Sequence, residues 1–234
     1  MKNLDVFIKG ELIDLCIPTK SFAKNSNWYS WFNSKQITKY LDQGAFPNTS
    51  DDQLKFLNNN IKSRFMLIIF DKKNNKYNGI VSLSNIDHEK KICEIAIVSD
   101  TEKANIYSSY IALEAIAKLL EHAFTKIGIN RISAGQHIDL FNWQNMLELI
   151  GMRIEGVHRD KFVKGMETSN TVTIAITLED YKTIINLRSG FLWDNFSNMK
   201  KRISKLPRET FAKELKDIFK NKGDKYYKKL FSLK

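Results

Sequence analysis

Two side chains stand where a proton could be taken from a substrate. Glu94 lies inside the apolar run Ile92-Cys93-Glu94-Ile95-Ala96-Ile97-Val98, and a carboxylate enclosed in such surroundings suits proton uptake near neutrality. His137 closes the run Arg131-Ile132-Ser133-Ala134-Gly135-Gln136-His137, and an imidazole at a strand end is a second candidate base. His158 stands beside Arg159 and Asp160, a grouping that would meet an anionic ligand. His88 sits among turn formers and His122 on the polar side of a helical pattern, so both read as surface residues. The aromatic rings of Tyr29, Trp31, Phe46 and Trp143 are candidates for lining a binding pocket. The four histidines share no metal-ligand spacing, so no metal site is expected. Cys16 and Cys93 lie on apolar segments and read as buried free thiols of a reducing compartment. Neither a Gly-x-Ser-x-Gly elbow nor a phosphate-binding Walker loop occurs.

The elements that must position these groups are legible as a series. Val6–Ile17 alternates around Gly10 and ends at Pro18, a first strand with a bend. Ser21–Phe32 and Asp51–Ile61 read as helices, the second capped by Ser50 or Asp51. Phe65–Phe70, Asn78–Ile86 and Ile92–Val98 are separated by turn residues and predict an antiparallel meander. The period then changes to 3.6. Ala112, Ile116, Leu119, Leu120, Ala123 and Phe124 share one face, with Glu114, Lys118, Glu121, His122 and Thr125 opposite, and Gly128 ends the helix. Arg131–Gln136 is a strand, so strand, helix and strand form one crossover with a parallel pair. A short helix over Asn142–Ile150 and two strands, Met152–Phe162 and Thr171–Thr177, complete the layout. From Tyr181 the pattern is helical only.

The 234 residues suffice for one sizeable core. The net charge of +11 is concentrated: residues 181–234 hold 15 Lys+Arg against 5 Asp+Glu, leaving 22 against 21 in the rest. Residues 1–180 therefore read as the principal domain and 181–234 as a basic helical extension. Such an extension would suit peripheral association with an anionic surface, and its apolar stripes would suit its own domain or a homodimer. No basic stripe interleaved with exposed aromatics marks the domain, so nucleic acid is not an expected partner. No apolar run approaches the about 18 residues of a membrane span, and Met1–Asp5 lacks the layout of a secretory signal; a cytoplasmic location is expected.

Over roughly residues 6–180 the order of elements resembles that of the GCN5-related N-acetyltransferases. Trp28-Tyr29-Ser30-Trp31-Phe32-Asn33 followed by Phe46-Pro47-Asn48-Thr49 resembles the first helices of the branch that includes ribosomal-protein and amino-sugar acetyltransferases. Glu114-Ala115 through His122-Ala123-Phe124 resembles that branch's central helix. Gly151-Met152-Arg153-Ile154-Glu155-Gly156-Val157-His158-Arg159-Asp160 is similar to its "GF-x-x-EG-x-x-R" segment, with Met in place of Phe.

The resemblance implies an α/β (α+β) fold, a central mixed, mostly antiparallel sheet flanked by helices, here with a C-terminal helical extension. It implies acetyl-coenzyme A as the cofactor, with the backbone of Ile95, Ala96, Ile97 and Val98 exposed to the pantetheine arm by a splay of strands. The Ile97 amide would donate to the oxyanion. The loop before the long helix would hold the pyrophosphate, and the matching residues are Lys103, Asn105, Ile106, Tyr107, Ser108, Ser109 and Tyr110. This loop departs from the family's Arg/Gln-x-x-Gly-x-Gly/Ala, placing Ser and Tyr where glycines belong. Asn142 falls near the family's coenzyme-contacting Asn, and no Tyr follows it to protonate the thiolate. Glu94 resembles the glutamate often found on the fourth strand. Tyr29, Trp31, Phe46, Trp143, His158 and Arg159 would then face the acceptor, a small-molecule amine, foremost a nucleotide-linked amino sugar. A protein N-terminus is the alternative acceptor, and a degenerate domain that binds without catalysis is the alternative to an enzyme.

Overall fold

The computed structural model describes residues 4–100, 106–207 and 211–233. At its start, Val6–Lys9 (β1) and Ile13–Cys16 (β2) pair antiparallel, with Lys9 opposite Asp14. The expected single bent strand is thus a tight hairpin. Gly10 N donates to Ile13 O at 2.9 Å. The Glu114 carboxylate accepts the next two amides, Glu11 N at 2.5 Å and Leu12 N at 2.8 Å. A turn whose donors are satisfied by a distant side chain leaves no local signature.

The helix expected over Ser21–Phe32 is two helices, Lys20–Asn25 (α1) and Trp28–Trp31 (α2). Ser26 is extended between them and its Oγ accepts Trp28 N. Ser50–Asn60 (α3) is capped by Thr49 in a reciprocal box with Asp52, one residue before the expected cap.

The meander forms as expected from Phe65–Asp71 (β3), Lys76–Asp87 (β4) and Ile92–Ser99 (β5). Alternation splits its side chains between two cores. Leu67, Ile69, Val81, Leu83, Cys93 and Ile95 face the long helix Ile106–His122 (α4), while Met66, Ile68 and Ile80 face Phe22, Trp28 and Leu57 of α1–α3. Burial on both faces explains why β3 reads as an unbroken apolar run. Cys16 and Cys93 are both buried and free, and burial pushes their thiols up to about 11 and about 12.

α4 runs into a π turn, Ala123–Ile127, and stops at Gly128 in the left-handed region. It delivers the chain to Arg131–His137 (β6). Phe141–Leu149 (α5), Arg153–Lys164 (β7) and Glu167–Thr177 (β8) follow. The strand order is β1-β2-β3-β4-β5-β6-β8-β7, antiparallel throughout except for the β5/β6 pair that α4 bridges. This is the mixed, mostly antiparallel sheet that the sequence predicts.

After β8 come Leu178–Leu187 (α6), Phe196–Ile203 (α7), Phe211–Ile218 (α8) and Asp224–Phe231 (α9). The first part of this stretch packs along α4. Leu192, Trp193 and Met199 are fully buried in the larger core. Trp193 Nε1 and Phe196 N both donate to Glu11 Oε2, and Leu192 N donates to Glu121 Oε1. For this reason Glu114, expected on a polar face, is entirely buried: α4 is covered on its outer side as well. No helix among the described residues is long and apolar enough to cross a membrane.

Candidate active site

β5 and β6 run together for three residues only, Ile92, Cys93 and Glu94 opposite Arg131, Ile132 and Ser133. Past that point β5 stays with β4 as far as Ser99 opposite Gly79, and β6 stays with β8 as far as His137 opposite Thr171. Each strand keeps one neighbour and loses the other. From Ile95 and Ala134 onward, the facing edges of the wedge therefore carry peptide groups with no strand partner. Gln136 lies on β6 beside this wedge, and both its Oε1 and Nε2 are buried with no hydrogen-bond partner among the described residues. An amide-lined opening with an orphaned amide side chain fits an amide-rich linear group such as pantetheine.

α4 begins at Ile106, on the side where the strands have parted. The first turn of a helix presents N–H groups without intrahelical acceptors and the positive end of the dipole, both suited to phosphate. Lys103 and Asn105 lie outside the described residues. Ile106 is exposed, Ser108 and Ser109 are half-buried. Tyr107 and Tyr110 turn away to pack edge-on against Phe196, at 6.5 and 5.2 Å between ring centroids. Their size, anomalous for a phosphate loop, gives the helix start a contact with the segment that also buries Leu192, Trp193 and Met199. Asn142 is exposed on α5.

On the opposite face of the sheet a cavity of about 580 Å³ abuts Ala96, Ile97 and Val98 of β5. Its floor is Met66, Ile80 and Ser82. Trp28, Phe32 and Phe56 form one wall and the loop Leu41–Asn48 the other, with Gln53 and Arg64 among the lining. Arg64 is half-buried, and its guanidinium takes part in no ion pair or hydrogen bond among the described residues. The loop is held from below by Lys164 at the end of β7, whose Nζ donates to Thr38 O (2.5 Å), Gln43 O (2.9 Å) and Leu41 O (3.2 Å). Gly44, at φ +92°, passes so close to Thr38 that a Cβ would collide with its side chain. Asn48 ties the loop to the helices, donating to Tyr29 O and to Gln53 Oε1.

Glu94 shares the strand face of Ala96 and Val98, one step of about 7 Å from the cavity, and it is exposed rather than enclosed by its apolar neighbours. Those neighbours point through the sheet; the alternation separates them from the carboxylate. His137 is on the same side of the sheet and is 2% exposed. Its ring lies 4.5 Å from that of Tyr40 and 4.8 Å from that of Phe162. Asp139 N donates to its Nδ1 at 3.2 Å, Asp139 Oδ2 lies 3.8 Å from the same nitrogen, and Nε2 is buried with no partner among the described residues. His137 does not line the cavity.

Of the aromatic residues singled out in the sequence, Phe46 lines the cavity and is 85% exposed. Tyr29 and Trp31 do not: Trp28 of the short helix α2 and Phe32 just after it face the cavity, and Trp31 is buried in the smaller core. Trp143 packs against the core of the other sheet face. His158 and Arg159 are exposed on β7, where His158 Nε2 meets Thr173 Oγ1 at 2.6 Å. Arg64, Tyr40 and Lys164 carry no local motif, because each reaches its place through contacts distant in sequence; Asn48 belongs to the Phe46–Thr49 motif, but its partners Tyr29 and Gln53 are set by the fold. Among the described residues no cluster of His, Cys, Asp or Glu could hold a metal ion.

A sequence model of the acetyltransferase (GNAT) domain matches residues 23–153, a span that includes α2, the meander, α4, β6 and α5. The chain belongs to the GNAT acetyltransferase family. It is thereby an acetyl-coenzyme A-dependent acetyltransferase. Among solved structures it is similar to RimL, a ribosomal L7/L12 alpha-N-protein acetyltransferase in complex with coenzyme A. The TM-score is 0.66 at 15% identity, over 75% of this chain and 99% of that one. It is similar also to the microcin C7 self-immunity acetyltransferase MccE in complex with acetyl-CoA and AMP, with TM-score 0.59 and 23% identity over 72% and 94%. A GNAT-family acetyltransferase from Bacillus anthracis gives 0.61 and 22% over 74% and 99%. At these identities the likeness is one of fold. No curated protein sequence matches the chain.

Proposed function

We propose that the acceptor is a small molecule bearing a primary amine and an anionic group, of the kind presented by a nucleotide-linked amino sugar. The observation that carries this reading is the cavity against β5. It is a half-open cleft whose volume lies in the range of small-ligand sites, its apolar walls suit the faces of a ring, and its lining includes the guanidinium of Arg64, which has no partner among the described residues. Arginine meets phosphate oxygens in a bidentate fork.

Bound acetyl-coenzyme A supplies the acyl carbon as a thioester. The chain's own residues do the rest. The open edges of β5 and β6, with the Gln136 amide, hold the arm that crosses the wedge. The cavity orients the amine toward Ala96–Val98. Glu94 takes the proton of the attacking amine, directly or through one water. The N–C bond forms as the C–S bond breaks, and the electron pair leaves on sulfur.

The test is an acetyl-transfer assay, read by release of the free thiol, against nucleotide-linked amino sugars, free amino sugars and ribosomal N-terminal peptides. Transfer to nucleotide-linked amino sugars is expected to dominate. Arg64→Met should raise their KM by about 30-fold, the worth of about 2 kcal/mol for a charged hydrogen-bonded pair, while leaving free amino sugars unchanged. Transfer to peptide N-termini alone would overturn the proposal.

A further inference from the structure

The acetyl-transfer site makes no use of the last helical stretch. α8, a π turn at Phe219–Gly223 and α9 follow one another without interruption from Phe211 to Phe231. A π turn spends one residue more than an α turn, so everything beyond it is set back by about 100° around the axis. Without that lag, Tyr227 and Leu230 would rotate off the stripe begun by Phe211, Leu215, Ile218 and Phe219. With it they fall in line. Lys213, Lys216, Lys220, Lys225 and Lys228 then lie on the opposite face. α8 runs beside β7, and Leu215 packs against the core there, yet the rest of the stripe is only half covered. Phe211, Ile218, Phe219, Tyr227 and Leu230 remain 43% to 49% exposed, and Phe231 79%.

We propose that this helix lies flat on an anionic lipid surface, with its aromatic stripe among the acyl chains and its lysines at the headgroups. The charge decides the occupant. Residues 211–231 carry seven lysines against three acidic residues, which complements anionic headgroups. At 21 residues so rich in lysine the helix is unsuited to spanning a bilayer, and the phenylalanines and tyrosines on one face fit the interface between headgroup and chain.

The experiment is co-sedimentation of the full-length protein with vesicles of phosphatidylglycerol and phosphatidylcholine mixed, against phosphatidylcholine alone. Binding to the anionic vesicles is expected to be at least tenfold stronger and to be lost at about 0.5 M salt. A Phe219→Ser, Leu230→Ser double variant should lose it at unchanged melting temperature, since neither side chain is buried. Replacing Lys216, Lys220 and Lys228 by Gln should weaken it by a similar factor. The proposal fails if the two vesicle types bind alike, or if the serine variant binds like the parent. It fails equally if the parent is a dimer in solution that the serine variant turns into a monomer, which would make a second copy the occupant.

Discussion

Lys164 is the residue whose replacement most directly tests how the cavity is built. Lys164→Met keeps the aliphatic stem and deletes the ammonium that draws Thr38 O, Leu41 O and Gln43 O together. A hydrogen bond to a charged donor contributes about 1.5–3 kcal/mol. Here the donor is half-buried and one of the three bonds is long at 3.2 Å, so the set is worth about 2 kcal/mol rather than the sum. That corresponds to a factor of about 30 in the balance between the ordered and the open loop. Hydrogen exchange followed by mass spectrometry should show residues 36–48 exchanging about 30-fold faster, with α4 and β6 unchanged. In steady-state kinetics the acceptor KM should rise by about 10- to 30-fold while the KM for acetyl-coenzyme A stays within twofold, because the loop lies on the sheet face opposite α4, whose first turn the coenzyme's phosphates would approach. Unaltered exchange in the loop would refute the argument. So would an equal rise in both KM values, which would mean that the whole fold had loosened.

Two further substitutions probe the rest of the molecule. Trp193→Ala removes a fully buried indole and the Nε1 bond to Glu11; large aromatic deletions cost about 3–5 kcal/mol. A fall in melting temperature of about 10 °C is expected for a chain of this size, and a fall below 3 °C would mean that the extension adds little to the core. Glu94→Gln keeps the shape of the strand and removes the base. It should lower kcat by about 100-fold or more with no loss of the thermal shift given by acetyl-coenzyme A, and an unchanged kcat would remove Glu94 from the mechanism.

What the sequence discloses here depends on how far a residue's partners lie from it. The meander, the crossover and α4 are written in local periodicity, and they form where the pattern puts them. The β1–β2 hairpin is not, because its turn is completed by Glu114, about a hundred residues away in the chain. The same holds for the cavity. Arg64 follows an ordinary helix end, and Lys164 ends an ordinary strand; only the folded sheet brings one to the rim and the other beneath the loop. On β5 the period-two alternation was already enough to separate Glu94, Ala96 and Val98 from Cys93, Ile95 and Ile97. Apolar neighbours along the chain do not enclose Glu94, because successive side chains of a strand point to opposite faces of the sheet.

The least typical stretch of the sequence, Ile106-Tyr107-Ser108-Ser109-Tyr110, finds its physical reason in the extension. Family members place glycines there so that the backbone may approach phosphate closely. A helical first turn does not need them to present its amides, since helical φ angles are open to every residue. Freed from that requirement, the positions of Tyr107 and Tyr110 serve a second surface: both rings meet Phe196, whose amide is bound by Glu11 in the turn that Glu114 of the same helix organises. The beginning of α4, the β1–β2 turn and the segment through α7 are thereby one connected set of contacts. Loosening any of them should be felt at the helix end that the coenzyme's phosphates would approach, which makes the extension a structural support of the site as well as the bearer of the lysine-rich helix beyond it.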